Sequence, residues 1–377
     1  MILNKAYSIA LSWLIIFITS CNSIAKKNIK NRNSMNWGIT KISSETGADS
    51  FDYEFNQYFI QDSLTGYIIG DNSIAEMYRS IIEKRVLKRE NYEAILFKTE
   101  DGGVSFRKRS LGKGSLQKIT SDNEKNLYVI QCNYKTATLP KRYRIMYSRD
   151  LGETWQEMAF PQGKKIETVQ FYNGLKGVVA IEEDGMFKLL KTKDGGKTWE
   201  ELPVKETSLN YYSIQFINEE ALYVYNSIGG FRQTATVNFT TGNVKIHNPN
   251  LPKGYQFSSF IKDDSTGSLY SEVSNYKEDH DLMLYNHQTN ELISYNIENS
   301  SEQYIIDVTV SGEYIGLLRA DKGIVSYYYS RDKGENWIRE KMPERLSESY
   351  AAMYGKGLVW VKSAFNLYNL QVRTMDN

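Results

Sequence analysis

The sequence predicts an all-β fold: a seven-bladed β-propeller of four-stranded antiparallel blades. Three observations carry that prediction. One turn pattern recurs at residues 148–155, 192–199 and 330–337, with a degenerate copy at 99–106. Two weaker turns, around Gly242 and Asn290, fill the interval. The pivotal positions Gly103, Gly152, Gly196, Gly242, Asn290 and Gly334 are then spaced by 49, 44, 46, 48 and 44 residues. A period in the forties with strand-rich units is that of propeller blades. Composition agrees, since 28 Tyr and only 6 Pro in 377 residues favour strands.

The charge balance excludes one class of function. There are 46 Lys and Arg against 45 Asp and Glu, a net charge of +1. Phosphate neutralisation normally needs a basic excess, so no nucleic-acid partner is expected. Two Cys and three His exclude a disulfide scaffold and a multi-ligand zinc site. Neither a metal nor a cofactor is expected.

Residues 1–20 read as an address. Lys5 is their only charge, and the apolar run 6–18 is short for a bilayer span. It ends in Ile18-Thr19-Ser20-Cys21, which resembles the bacterial lipobox. That resemblance implies acylation of Cys21 and a lipid-anchored place in the bacterial cell envelope, periplasmic or surface-exposed. An ordinary signal peptide followed by a chance Cys is the alternative. Residues 21–34 then form a flexible tether, with four basic residues and no acid over 22–34. The propeller is expected over 35–377. Cys132, in the alternation Leu-Tyr-Val-Ile-Gln-Cys-Asn-Tyr, is expected to be buried in a strand.

The unit at 166–203 shows the blade plan. Strands at 167–171, 177–181 and 187–192 are separated by turns at Asn173-Gly174 and Asp184-Gly185. The repeated turn follows, and then Trp199 opens the fourth strand. At the chain's end, 350–373 supplies three strands without a fourth. Residues 35–42, which contain Trp37, have the form of that missing strand. Pairing the two ends closes the ring at seven blades and leaves no free edge. Six blades is the alternative if one degenerate unit is misread.

Each residue type in the turn has a reason. Asp101, Asp150, Asp194 and Asp332 accept bonds from N–H groups of their own turn. Gly supplies a positive φ. Trp155, Trp199, Trp337 and the equivalent Phe106 are large enough to fill the gap between neighbouring sheets. The turns are therefore expected to be structural.

The pattern Ser/Thr-x-Asp-x-Gly-x-Thr-Trp resembles the Asp-box, or BNR, repeat. Over about 36–373 the chain is similar to Asp-box propellers: sialidases, sortilin-type receptors, xyloglucan-active glycosidases and photosystem-II assembly factors. The last group is closest in its Phe59–Gly70 and Leu96–Gly103 segments. These families share blades rather than chemistry.

The sialidase resemblance implies three clamping arginines, a Tyr nucleophile with its Glu, and an Asp acid/base. Those families' Arg-Ile-Pro is missing; Arg144-Ile145-Met146 departs from it. Arg149 and Arg331 lie within the repeated turns, on the opposite face. Arg319 is placed in an upper loop and is the one arginine available there. No catalytic residue is assigned. The acidic loop 278–281 and the run 182–185 read as solvated turns, with hard-cation binding as the alternative. His247, His280 and His287 lack metal-ligand spacing.

The first blade carries a helical insertion at Ser73–Glu90. Ser73 and Glu76 have capping-box spacing. Ile74, Met77, Tyr78 and Ile81 recur with helical period, which predicts an amphipathic helix. Arg79, Lys84, Arg85, Lys88 and Arg89 make its other side basic, with Arg85, Lys88 and Arg89 expected to face solvent. The connection belongs to the face opposite the repeated turns. Arg79, Arg85, Lys88, Arg89 and Arg319 are the candidate binding residues. The function expected is a non-catalytic binding or assembly scaffold for an envelope protein or glycan. A sialidase-like or xyloglucan-active glycoside hydrolase is the alternative.

Overall fold

The computed structural model describes residues 29–32, 37–41, 53–134, 142–161, 164–183, 186–205, 209–226, 233–263, 265–275, 282–295, 297, 303–321, 324–342, 349–355, 357–363 and 369–373. Cys21 and the leader, most of the expected tether, and the acidic loop 278–281 lie outside them.

Seven antiparallel sheets are arranged in a ring. In chain order from inner to outer strand, blade 1 comprises Glu54–Ile60, Gly66–Asp71, Glu93–Thr99 and Arg107–Lys113. Blade 2 comprises Ser115–Ser121, Leu127–Asn133, Arg142–Ser148 and Gln156–Glu157. Blade 3 comprises Lys165–Phe171, Gly177–Glu183, Met186–Thr192 and Glu200–Glu201. Blade 4 comprises Leu209–Asn218, Ala221–Asn226, Gln233–Asn238 and Val244–His247. Blade 5 comprises Gln256–Lys262, Leu269–Ser274, Leu282–Asn286 and Glu291–Tyr295. Blade 6 comprises Gln303–Ser311, Tyr314–Asp321, Ile324–Ser330 and Trp337–Lys341.

Blade 7 is composite. Ser349–Tyr354, Leu358–Ser363 and Asn369–Arg373 are completed by Trp37–Lys41, which pairs antiparallel with Asn369–Arg373 in the register Trp37↔Arg373 to Lys41↔Asn369. The inner strand of blade 7 touches that of blade 1, so the ring is shut. Part of the expected tether is also ordered as a strand. Ile29–Arg32 lies parallel to the outer strand of blade 6, with Ile29 beside Trp337.

The core is divided among the gaps between blades. One cluster joins Tyr67, Ile69 and Leu96 of blade 1 to Leu116, Ile119 and Val129 of blade 2. Another joins Ile68, Ile95 and Phe97 to Leu358, Trp360 and Leu370 across the closing seam. The strands are buried on both faces, which explains apolar runs such as Gly66–Asp71, buried at every position.

The repeated turns set the distance between blades. In each, the leading hydroxyl accepts the glycine N–H, at 2.9 Å for Thr99, 2.8 Å for Ser148, 2.9 Å for Thr192 and 2.7 Å for Ser330. The Asp accepts the N–H four residues on, at 2.9 Å for Asp101, 2.8 Å for Asp150, 2.9 Å for Asp194 and 2.9 Å for Asp332. The glycine faces the preceding blade. A Cβ on Gly103, Gly196 or Gly334 would meet Trp360, Met158 or Tyr295 at 2.6, 2.2 or 2.3 Å. The aromatic that follows packs into the same gap, Trp337 against Tyr295 and Phe106 against Trp360. In blade 5 the space is taken by His287, whose ring lies 4.7 Å from that of Tyr223 of blade 4.

Candidate functional site

Two places gather polar chemistry: the insertion on the upper face and the central channel. The insertion forms helix α1, Ser73–Ile82, on the face opposite the repeated turns. Its Ser73 is not a capping residue. Asn72 precedes the helix and accepts Glu93 N–H at 2.7 Å, while the Ser73 hydroxyl donates to Glu54 at 2.9 Å. The helix is turned over relative to its hydrophobic period. Ser73, Glu76 and Ser80 face inward, and Met77, Tyr78, Ile81 and Ile82 face outward. Ile81 is 65% exposed, Ile82 78% and, just beyond, Val86 79%.

Glu76 explains this orientation. Its buried carboxylate takes Arg79 at 2.5 Å and Arg85 at 2.8 Å. These charge-assisted bonds hold its pKa below the usual range against the opposing effect of burial. Arg85 also pairs with Glu83 at 2.6 Å. The expectation that Arg85 faces solvent is therefore corrected: it fastens the insertion. Lys88 and Arg89 do face outward. Lys88 lies 3.9 Å from Glu90, and Arg89 stacks 5.7 Å from the ring of Tyr134.

Arg319 is not in an upper loop. It sits inside the second strand of blade 6, buried, and its guanidinium donates to the carbonyl of Ile297. Arg144 is spent on Gln131 and Glu157, both at 3.1 Å. Arg149 and Arg331 lie over Tyr147 and Tyr329 beside the repeated turns. These four arginines do not converge on a common point.

The channel holds residues that sequence reasoning missed. Six of the seven inner strands carry a register shift, falling between Phe55/Gln57, Leu116/Lys118, Ile166/Thr168, Asn210/Ile214, Phe257/Phe260 and Ile305/Asp307. A bulge re-aims the side chain beside it. The residues just past the shifts, Gln57, Lys118, Thr168, Ile214, Phe260 and Asp307, all line a cavity of about 600 Å³. It occupies the half of the channel nearest the repeated turns.

Gln57 is structural: its amide donates to Ile119 O at 3.2 Å and accepts Ile119 N–H at 2.9 Å, linking blades 1 and 2. Lys118 donates to the Thr168 hydroxyl at 2.8 Å. Burial pushes its ammonium down to about 8, against the attraction of Glu167. Burial pushes the Asp307 carboxyl up to about 7, although Val308 N–H donates to it at 2.9 Å. The legible signal was a charge in an apolar strand, as in Ile-Ile-Asp307-Val-Thr-Val. Among the described residues no cluster of three or more His, Cys, Asp or Glu is arranged to hold a metal.

No protein-family model and no curated protein matches the chain significantly. Solved structures match its fold. YCF48 bound to D1 peptide superposes with a TM-score of 0.57 at 13% identity, covering 94% of this chain and 100% of that one. The β-propeller domain of the Trilobed protease from Pyrococcus furiosus gives 0.53 at 9% identity, covering 87% and 97%. The extracellular domain of a putative one-component system from B. thetaiotaomicron gives 0.51 at 13% identity, covering 92% and 44%. At these identities the likeness is one of fold, and the chain is a seven-bladed β-propeller.

Proposed function

We propose that this is a bacterial envelope lipoprotein whose propeller is a non-catalytic scaffold for a protein partner held on the upper face. One observation carries the reading: α1 turns Met77, Tyr78, Ile81 and Ile82 toward solvent, with Val86 and Leu87 beside them. Contiguous exposed apolar surface marks contact sites. Arg79, Lys84, Lys88 and Arg89 rim it, which suits an acidic partner. The apolar stripe favours a protein over a glycan. A structural neighbour bound to a peptide agrees with that choice.

The Asp-turn geometry agrees with the Asp-box resemblance, and the lipobox resemblance supplies the anchor. The strands Ile29–Arg32 and Trp37–Lys41 both begin at the repeated-turn end of the ring. Seven residues lie between Cys21 and Ile29, eight steps that reach at most about 28 Å. A lipid on Cys21 would hold that end toward the membrane and leave α1 facing away from it.

The test is capture from a membrane extract. Ile81→Glu/Ile82→Glu and Lys88→Glu/Arg89→Glu are compared with wild type at matched melting temperature. Arg85 is left intact because it holds Glu76. Both variants are expected to lose partners that wild type retains. An unchanged set of captured proteins removes the reading.

A further inference from the structure

The repeated turns place equivalent residues at each gap between blades, so the gaps can be compared position by position. Between blades 1 and 2, Lys98 stands just before the turn of blade 1 and Arg107 just after it, and the facing turn of blade 2 presents Glu153. Lys98 meets that carboxylate at 2.6 Å and Arg107 meets it at 2.5 Å. Between blades 3 and 4 the lysine recurs as Lys191, which donates to Thr240 O of the facing turn at 2.7 Å. In both gaps a cation closes against an acceptor of the next blade.

The gap between blades 2 and 3 reverses this. The equivalents of Lys98, Glu100 and Arg107 are Tyr147, Arg149 and Gln156, and the position of Glu153 is taken by Lys197. Together with Thr154 they line a crevice of about 320 Å³. Arg149 lies 5.6 Å from the centre of the Tyr147 ring. A Cβ on Gly195 would come 3.7 Å from Arg149 Nη2, so the guanidinium reaches the turn that carries Lys197. The acids nearby are engaged elsewhere. Glu153 takes Lys98, Arg107 and Arg109 on the side of blade 1, and Glu157 takes Arg142 and Arg144. Asp150 and Asp194 accept from Thr154 and Thr198 of their own turns. Among the described residues no carboxylate pairs with Arg149 or Lys197. Two cations from different blades thus meet where the preceding gap holds a carboxylate, and an anion between them would relieve their mutual repulsion.

The rest of the lining narrows the ligand. The Tyr147 hydroxyl donates to Gln156 Oε1 at 2.7 Å, which leaves the Gln156 amide to donate and the phenolic oxygen to accept. The Thr154 hydroxyl donates to Asp150 at 2.6 Å, and its oxygen still accepts. Donors and acceptors mixed in this way suit hydroxyl groups beside the carboxylate. The volume is at the small end of the range for ligand pockets.

We propose that the crevice between blades 2 and 3 binds a hydroxylated carboxylate of the sugar-acid class. Arg149 and Lys197 take the carboxylate, as Lys98 and Arg107 take that of Glu153 in the preceding gap. Gln156, Thr154 and Tyr147 take the hydroxyls. The site lies beside the repeated turns, on the face opposite α1, and stands independently of the partner proposed there.

Titration calorimetry on the purified full chain in low salt tests this. The probes are D-glucuronate, D-galacturonate, D-glucose, acetate and N-acetyl-L-glutamic acid α-amide, which carries one side-chain carboxylate. One of the two sugar acids is expected to bind one to one, with glucose, acetate and the glutamate derivative weaker by tenfold or more. Acetate binding as tightly would mean that the site reads charge alone, and tighter binding of the glutamate derivative would make an acidic protein side chain the ligand. Either result overturns the proposal, as does a failure of both sugar acids to bind at millimolar concentration. Lys197→Glu restores the carboxylate of the preceding gap. It should pair with Arg149 and abolish sugar-acid binding at an unchanged or higher melting temperature. Arg149→Gln should weaken binding tenfold or more. Binding that survives Lys197→Glu also overturns the proposal. The comparison of probes needs no variant, so a misfolded mutant does not shield it.

Discussion

The guanidinium of Arg373 meets the carboxylate of Glu340 through two bonds, 2.8 Å from Nε and 3.0 Å from Nη2, with both side chains buried. Trp37 Nε1 donates to the same carboxylate at 3.1 Å, and Arg373 also donates to Gly357 O at 2.8 Å. The rings of Tyr327 and Tyr329 each lie 5.0 Å from the guanidinium. The last strand, the strand that closes the ring and blade 6 thus share one polar knot. Glu340→Gln leaves a buried cation without its counter-charge. The expected loss is about 3–5 kcal/mol, the usual result of breaking one partner of a buried pair. Denaturant unfolding measures it, and a loss below about 1 kcal/mol, the scale of an exposed pair, would show that the knot is solvated.

The spacing role of the turn glycines is separable from their backbone role. Gly334 has φ +81 and a Cβ there would come 2.3 Å from Tyr295. Gly267 has φ +72 and nothing within 4 Å. Gly267→Ala meets only the left-handed backbone penalty, whereas Gly334→Ala adds overpacking of about 1–3 kcal/mol. Melting curves should rank Gly334→Ala clearly lower. Equal effects would mean that the turns do not set the distance between blades.

Two carboxyls give opposite pH signatures. The Thr154 hydroxyl and N–H hold Asp150 down to about 2. A folded pKa below the unfolded value of about 4 gives stability that is present above pH 4 and lost as pH falls through 2. Asp150→Asn should flatten that acid limb. Asp307 is raised to about 7, chiefly by burial. Its contribution is full below pH 4 and is lost as pH rises through 7. Asp307→Asn should therefore gain on wild type between pH 5 and pH 8. Stability measured across that interval checks it, and a difference independent of pH would place the carboxyl in bulk-like solvent.

Anchoring has its own readout. Cys21→Ser is expected to abolish lipid labelling and move the protein from the membrane to the soluble fraction. Unchanged partition would leave the N-terminal segment as an ordinary leader.

The blade count and ring closure were legible because the turn pattern carries its own period, and because Trp37 has the form of a fourth strand. The existence of α1 was legible too, from its period, but its orientation was not. Periodicity marks an apolar side without saying what that side meets. Here the inward side is Ser73, Glu76 and Ser80, small or ion-paired residues that sit on the polar rim of the ring. Arg319 was misplaced because the strand Tyr314–Asp321 runs past the point where its apolar run ends. Lys118 and Asp307 escaped notice because a bulge breaks the alternation that tells inside from outside.

The composite seventh blade makes completeness a condition of closure. The strand Trp37–Lys41 emerges from the ribosome before any blade, and its partner Asn369–Arg373 emerges after almost all the rest. Through synthesis the first strand waits with its hydrogen-bonding edge unmatched. A chain cut short between Lys341 and Asn369 leaves it so, and leaves Glu340 without Arg373. Such a fragment carries an open sheet edge and an orphaned charge, both of which invite proteolysis. The fold thereby inspects its own length before it shuts.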